Sequence, residues 1–91
     1  MKFEIRYLKK AIRDTQKLRR TDPQAYRKLQ QLIGELEEHP RTGTGQPELL
    51  RGNRRGQWSR RISQRHRLVY TIHDDVVVVL VLAAYGHYGD K

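Results

Sequence analysis

The residues best suited to chemistry gather in one stretch of the chain. Positions 41–67 hold eight bases and one acid, and all eight bases are arginine: Arg41, Arg51, Arg54, Arg55, Arg60, Arg61, Arg65 and Arg67. The single acid is Glu48, and near the end of the chain stand His87 and Tyr88. Arginine forks bidentately onto phosphate and stacks on bases, whereas lysine is a hydrated point charge. A lysine-free block in a chain that uses lysine freely elsewhere leans towards nucleic acid. Such a set contains the parts for cutting RNA without a metal. RNA carries its own nucleophile, the 2′-OH. A base must take its proton, cations must hold the added charge of the phosphorane, and an acid must protonate the departing 5′-oxygen. Glu48 is the one carboxylate among the arginines. His87 can serve as the acid, Arg61 and Arg67 as the electrostatic clamp, and Tyr88 can orient the phosphate or share in proton transfer.

Residue type alone leaves alternatives open. A glutamate after a proline is commonly a solvated loop residue, and a histidine near the end of a chain is commonly exposed. The arginines could equally serve a basic nucleic-acid-binding or co-repressor module with no chemistry. His39, His66 and His73 read as a helix-end residue and two strand-edge residues. The four histidines show no zinc-type spacing, so no metal site is expected.

Composition narrows the class further. The chain has 91 residues, no cysteine and a formal net charge of +9. That length makes one domain, over residues 1–91, with a radius of gyration of roughly 12 Å. Without cysteine there is no disulfide framework, thiol nucleophile, Cys-ligated zinc or iron–sulfur cluster. The longest apolar run, Val76 to Tyr85, is far short of the ~20 residues of a membrane span. No N-terminal apolar segment reads as a secretory signal. The expectation is a small, soluble, cytoplasmic, basic domain with an anionic partner and no cofactor.

The elements that must position these residues can be read in order. Lys2 to Tyr7 alternates, with Phe3, Ile5 and Tyr7 on one side, as a strand does. Leu8 to Arg20 places Leu8, Ala11, Ile12, Thr15 and Leu18 at helical spacing. Asp22-Pro23 is a helix start, and a second helix runs to about Glu38 with Leu29, Leu32, Ile33 and Leu36 on its apolar face. Residues 39–56 are one long irregular segment. Gln57 to Ser63 and His66 to Ile72 form a hairpin. Asp74-Asp75 is a turn, and a strand from about Val76 to Ala83, apolar on both faces, belongs inside a sheet. The order β-α-α-β-β-β predicts an α+β fold, with two helices on one face of a small, mainly antiparallel sheet.

Register follows from the alternation. Packing Trp58 and Ile62 on the same side as Leu68, Tyr70 and Ile72 pairs Trp58 with Tyr70 and Arg61 with Arg67. Arg60 then points to the core face, where it must snorkel or lie at an edge. Arg61 and Arg67 become cross-strand neighbours on the side away from the helices. Like charges there repel, which favours an anion between them.

Four segments together carry a family resemblance: Gly45-Gln46-Pro47-Glu48-Leu49-Leu50-Arg51, Gly56-Gln57-Trp58-Ser59-Arg60-Arg61-Ile62, His66-Arg67-Leu68-Val69-Tyr70 and Gly86-His87-Tyr88. In this combination the chain closely resembles the YoeB/Txe branch of the RelE toxin superfamily, toxins of type II toxin–antitoxin pairs. The resemblance implies a microbial-ribonuclease-like fold. It implies a metal-independent endoribonuclease, an mRNA interferase that cuts mRNA in the ribosomal A site and so inhibits translation. By motif match, Glu48 stands at the general base and His87 at the general acid. Arg67 matches the arginine that stabilises the transition state, and Tyr88 the tyrosine that helps to position substrate. Arg51 and Arg61 match phosphate-contacting positions, the first often lysine in relatives. The partners implied are the ribosome, mRNA and a small cognate antitoxin that wraps the toxin. A homodimer within that complex is compatible with the family.

Overall fold

The computed structural model describes residues 2–86. The elements are β1 (Glu4–Tyr7), α1 (Lys9–Thr21), α2 (Pro23–Leu36), β2 (Glu48–Leu49), β3 (Trp58–Arg61), β4 (Arg67–His73) and β5 (Val78–Ala83), with a single 3₁₀ turn at Gly52–Arg54. The five strands form one sheet in the order β1-β5-β4-β3-β2. β1 runs parallel to β5, and the other three pairings are antiparallel. The radius of gyration is 12.1 Å.

Both helices form for local reasons and are held by their apolar faces. Asp22 accepts the Ala25 N–H at 3.1 Å, and Pro23 occupies the first helical position, so α2 starts where the sequence signals it. α2 buries Ala25, Leu29, Leu32 and Leu36, and α1 buries Ala11 and Leu18. These pack on Leu68 and Tyr70 of β4 and on Val79 and Val81 of β5. The apolar stripe of α1 is narrower than its sequence suggests. Ile12 is 46% exposed and Leu8 is also exposed, because the helix meets the sheet along the Ala11–Leu18 line, and Ile12 sits about a quarter-turn away from it. Tyr7 is likewise exposed, whereas Phe3 and Ile5 are partly buried against the core, since β1 is an edge strand.

The sheet departs from expectation at two points, and the direction of β1 settles one that the alternation left open. β2, only two residues long, lies inside the segment read as irregular; no alternation can show over that length. β1 is parallel to its neighbour, a distinction that period-2 alternation does not encode. The last strand begins at Val78, not Val76. Val76 and Val77 complete the β4–β5 turn, with Val77 at φ 55° and Val76 exposed. Their β-branched composition concealed a turn that geometry requires there. The rest of β5 does lie inside the sheet, between β1 and β4.

Candidate active site

The β3–β4 register places the site. Trp58 pairs with Tyr70, Ser59 with Val69, Arg60 with Leu68 and Arg61 with Arg67. Residues paired across strands share a face, and the faces alternate along each strand. Tyr70 and Leu68 are fully buried under the helices, so Arg61 and Arg67 stand on the opposite, outer face. β2 extends this row: Glu48 pairs with Ser59 and therefore also faces outward. From strand spacing and rise, the Cα of Glu48 lies about 8 Å from that of Arg61 and about 12 Å from that of Arg67. Side chains of this length can reach one phosphate-sized region from these positions.

The eight arginines divide by what they touch. Arg60 is fully buried. It neither snorkels nor sits at an edge; a complete set of acceptors surrounds it. Its Nε donates to the Tyr70 hydroxyl at 3.1 Å, and Nη1 donates to Glu35 Oε1 at 2.8 Å and to the Thr44 carbonyl at 3.3 Å. Nη2 donates to the carbonyls of His39 and Thr42. Glu35 also accepts the Thr44 N–H at 2.9 Å. Hydrogen bonding from Thr44, by its side chain first and its backbone N–H second, together with the Arg60 guanidinium, holds the Glu35 carboxyl below its ordinary pKa. Burial pushes the Tyr70 hydroxyl up. Gly43 permits the wrap, because a Cβ there would lie 2.5 Å from Glu35 Oε1. Arg41 is neutralised by Asp74, 2.6 Å away.

Arg61 and Arg67 have no such counter-ion among the described residues. Arg61 is exposed and makes no side-chain bond there. The Arg67 guanidinium is steadied from one side only, with Nη1 donating to the carbonyls of Ser63 at 3.0 Å and His66 at 3.4 Å. Its Nε and Nη2 make no bond to described residues. Glu48 is exposed and makes no ion pair among them. Two arginines side by side, Arg67 steadied and neither neutralised among the described residues, with one carboxylate in the adjacent row, form a receptor for an anion. A cleft of about 550 Å³ opens beside Arg67, lined also by Lys10, Arg54, Val69, Leu82 and Tyr85 among others.

The sequence-predicted residues are thus brought together in part. Glu48, Arg61 and Arg67 share the outer face. Arg51 is exposed three residues beyond Glu48, at the entry to the 3₁₀ turn, and no side-chain bond ties it to the arginine pair. His87 and Tyr88 lie outside the described residues. The sequence reading missed Lys10 and Tyr85 beside the cleft, since both come from elements read only for their packing. It also read His66 as a strand-edge residue. His66 is instead buried, with its ring centroid 4.4 Å from that of Tyr85. Its position next to Arg67 was the available signal. Among the described residues, no cluster of His, Asp and Glu could hold a metal ion, and no helix is long and apolar enough to cross a membrane.

The architecture is that of the RelE/YoeB toxins. It superposes on a YoeB/ParE toxin from Agrobacterium tumefaciens with a TM-score of 0.87 and 31% identity, over 94% of this chain and 100% of that one. A heterotetrameric YoeB-YefM toxin-antitoxin complex from Staphylococcus aureus matches with a TM-score of 0.80 and 29% identity, over 97% of this chain and 100% of the matched one. In sequence, the chain is 43% identical over 68 residues to toxin YoeB of Escherichia coli K12, covering 75% of this chain and 79% of that toxin. The sequence pattern described as YoeB-like toxin of bacterial type II toxin-antitoxin system matches residues 7–88. The chain belongs to that family.

Proposed function

We propose that this toxin is a ribosome-dependent endoribonuclease that cuts mRNA in the A site by metal-independent acid–base chemistry. The observation that carries this reading is the Arg61–Arg67 pair on the outer sheet face, held in register without a counter-ion among the described residues and one row from Glu48. In the proposed reaction the Glu48 carboxylate takes the 2′-OH proton. The 2′-oxygen attacks the adjacent phosphorus, and Arg61 and Arg67 hold the charge that builds on the phosphorane oxygens. The bond to the 5′-oxygen breaks as His87 gives that oxygen a proton, leaving a 2′,3′-cyclic phosphate and a 5′-hydroxyl. Tyr88 positions the substrate, and Arg51 contacts a flanking phosphate. Residues 1–91 act as one toxin domain, in the cytoplasm where the ribosomes are. A small cognate antitoxin, as in the Staphylococcus aureus complex, neutralises it, and a toxin homodimer can form inside that assembly.

The test is to map mRNA 5′ ends after induction in cells, with and without translation blocked. The wild-type chain should arrest growth and create new ends within translated codons. Glu48→Gln combined with His87→Ala should abolish them. Equal cutting by that double variant overturns the assigned roles. Intact mRNA with the wild-type chain, alongside salt-sensitive nucleic-acid binding, favours a non-catalytic binding module.

A further inference from the structure

Gly86 immediately precedes His87 in the sequence, and both of its peptide groups are held. Its N–H donates to His66 Nδ1 at 2.9 Å. Its carbonyl accepts the Arg67 N–H at 2.9 Å. His66, just before β4, and Arg67, its first residue, therefore grip the same glycine from its two sides. Gly86 takes φ +78°, a conformation that other L-residues adopt only with strain.

The grip is rigid at its base. The His66 carbonyl accepts the N–H groups of Ile62 at 3.0 Å and Ser63 at 3.2 Å, and the His66 N–H donates to Ser63 Oγ at 3.2 Å. His66 is 6% exposed and its ring lies against Tyr85, whose own ring carries Lys17 Nζ 4.4 Å from its centroid. One residue earlier, the Ala84 N–H donates to Asp14 Oδ2 at 3.0 Å. The chain is thus fixed in position and direction as it leaves β5, beside the backbone of Arg67.

We infer that His66 is a positioning residue: by accepting the Gly86 N–H it fixes the backbone beside Arg67 at the residue that precedes His87 in the sequence. This rests on the reading of His87 as the general acid. The bond needs a lone pair at Nδ1, so the ring proton of neutral His66 belongs on Nε2. Neither packing nor charge at position 66 can substitute for that lone pair. An acceptor at the Nδ1 position can, and asparagine carries its amide oxygen close to it, whereas glutamine places its own near Nε2.

The experiment measures single-turnover cleavage of mRNA on purified programmed ribosomes, at saturating and sub-saturating toxin, with amide hydrogen exchange at Gly86. His66→Gln should lower the saturating rate by about a hundredfold, the order expected for displacement of a reacting group by an ångström. The toxin concentration for half-saturation should stay within about twofold, because the arginine pair is untouched. His66→Asn should restore most of the rate and the protection of the Gly86 amide. Gly86→Ala, which strains the same turn without touching the imidazole, should reproduce the glutamine phenotype and serves if His66→Gln does not fold. If wild type cuts while the glutamine and alanine variants cut equally fast, the inference is overturned and the nuclease reading stands. Equal losses in the asparagine and glutamine variants, or a loss confined to half-saturation, also overturn it. If wild type leaves mRNA intact, the nuclease reading fails and the inference with it.

Discussion

Replacing Arg60 with methionine keeps most of the aliphatic stem and removes every donor. The side chain is fully buried, and five bonds are lost together: one to Tyr70, one to Glu35 and three to the carbonyls of His39, Thr42 and Thr44. Removing one partner of a buried ion pair costs about 3–5 kcal/mol. Here the lower end applies. The Glu35 side chain is 26% exposed, and His39 and Thr42 are exposed residues, so water can rehydrate part of what is orphaned. A loss of about 3 kcal/mol is expected, a large share of the ~5–14 kcal/mol typical of a domain this size. It corresponds to a fall in melting temperature of roughly 12–24 °C. Urea unfolding followed by circular dichroism measures it, and hydrogen exchange at the Thr44 amide, which Glu35 accepts, locates it. Adding Glu35→Gln to Arg60→Met should cost at least ~1 kcal/mol less than the sum of the two single changes, because the stranded carboxylate is gone. A loss below about 1 kcal/mol for Arg60→Met, or strict additivity in the double variant, would refute the view that this guanidinium pins the 39–45 segment to the sheet.

Three further outcomes follow from the same structure. The Glu35 carboxyl is held below its ordinary pKa in the folded chain, so its contribution is full above the unfolded value of about 4.3 and is lost as pH falls through the lower folded value. Stability curves of wild type and Glu35→Gln against pH should therefore converge on acidification and separate above about pH 5; parallel curves would contradict the assignment. Val77 has a β-branched side chain at φ 55°, so Val77→Asn should stabilise the fold by about 1 kcal/mol, visible as a higher urea midpoint with unchanged slope. Arg61→Ala with Arg67→Ala should reduce the salt dependence of single-stranded RNA binding by about 1.4 in log–log slope, the value for two lost phosphate contacts; an unchanged slope would move the anion site elsewhere.

Much of the site geometry was legible because side chains in a strand alternate with period two. Once Trp58 and Tyr70 are placed on one apolar face, Arg61 and Arg67 must be neighbours on the other, and they are. The position of Glu48 was not legible that way. Only its pairing with Ser59 puts it on the outer face, and β2 is too short to show a pattern. Val76 and Val77 misled for the opposite reason, since apolar composition continued through a turn. Arg60 was correctly sent to the core side, but its partner Glu35 is 25 residues away on a helix, and helical spacing says nothing about which strand residue a helix will meet.

The sequence by itself determined the charge and where along the chain it lies, the starts of the helices, the hairpin register and the family motifs. These are local or periodic properties that neighbouring residues settle among themselves. Tertiary structure alone decided which arginines are spent on the fold and which remain for a ligand. Arg60 and Arg61 are adjacent and chemically identical, yet one is enclosed by Glu35, Tyr70 and the 39–45 segment while the other has no counter-ion among the described residues. It also turned His66 from a strand-edge residue into the acceptor that holds Gly86. Both outcomes depend on which distant groups arrive within about 3 Å, the range in which a hydrogen bond has its strength.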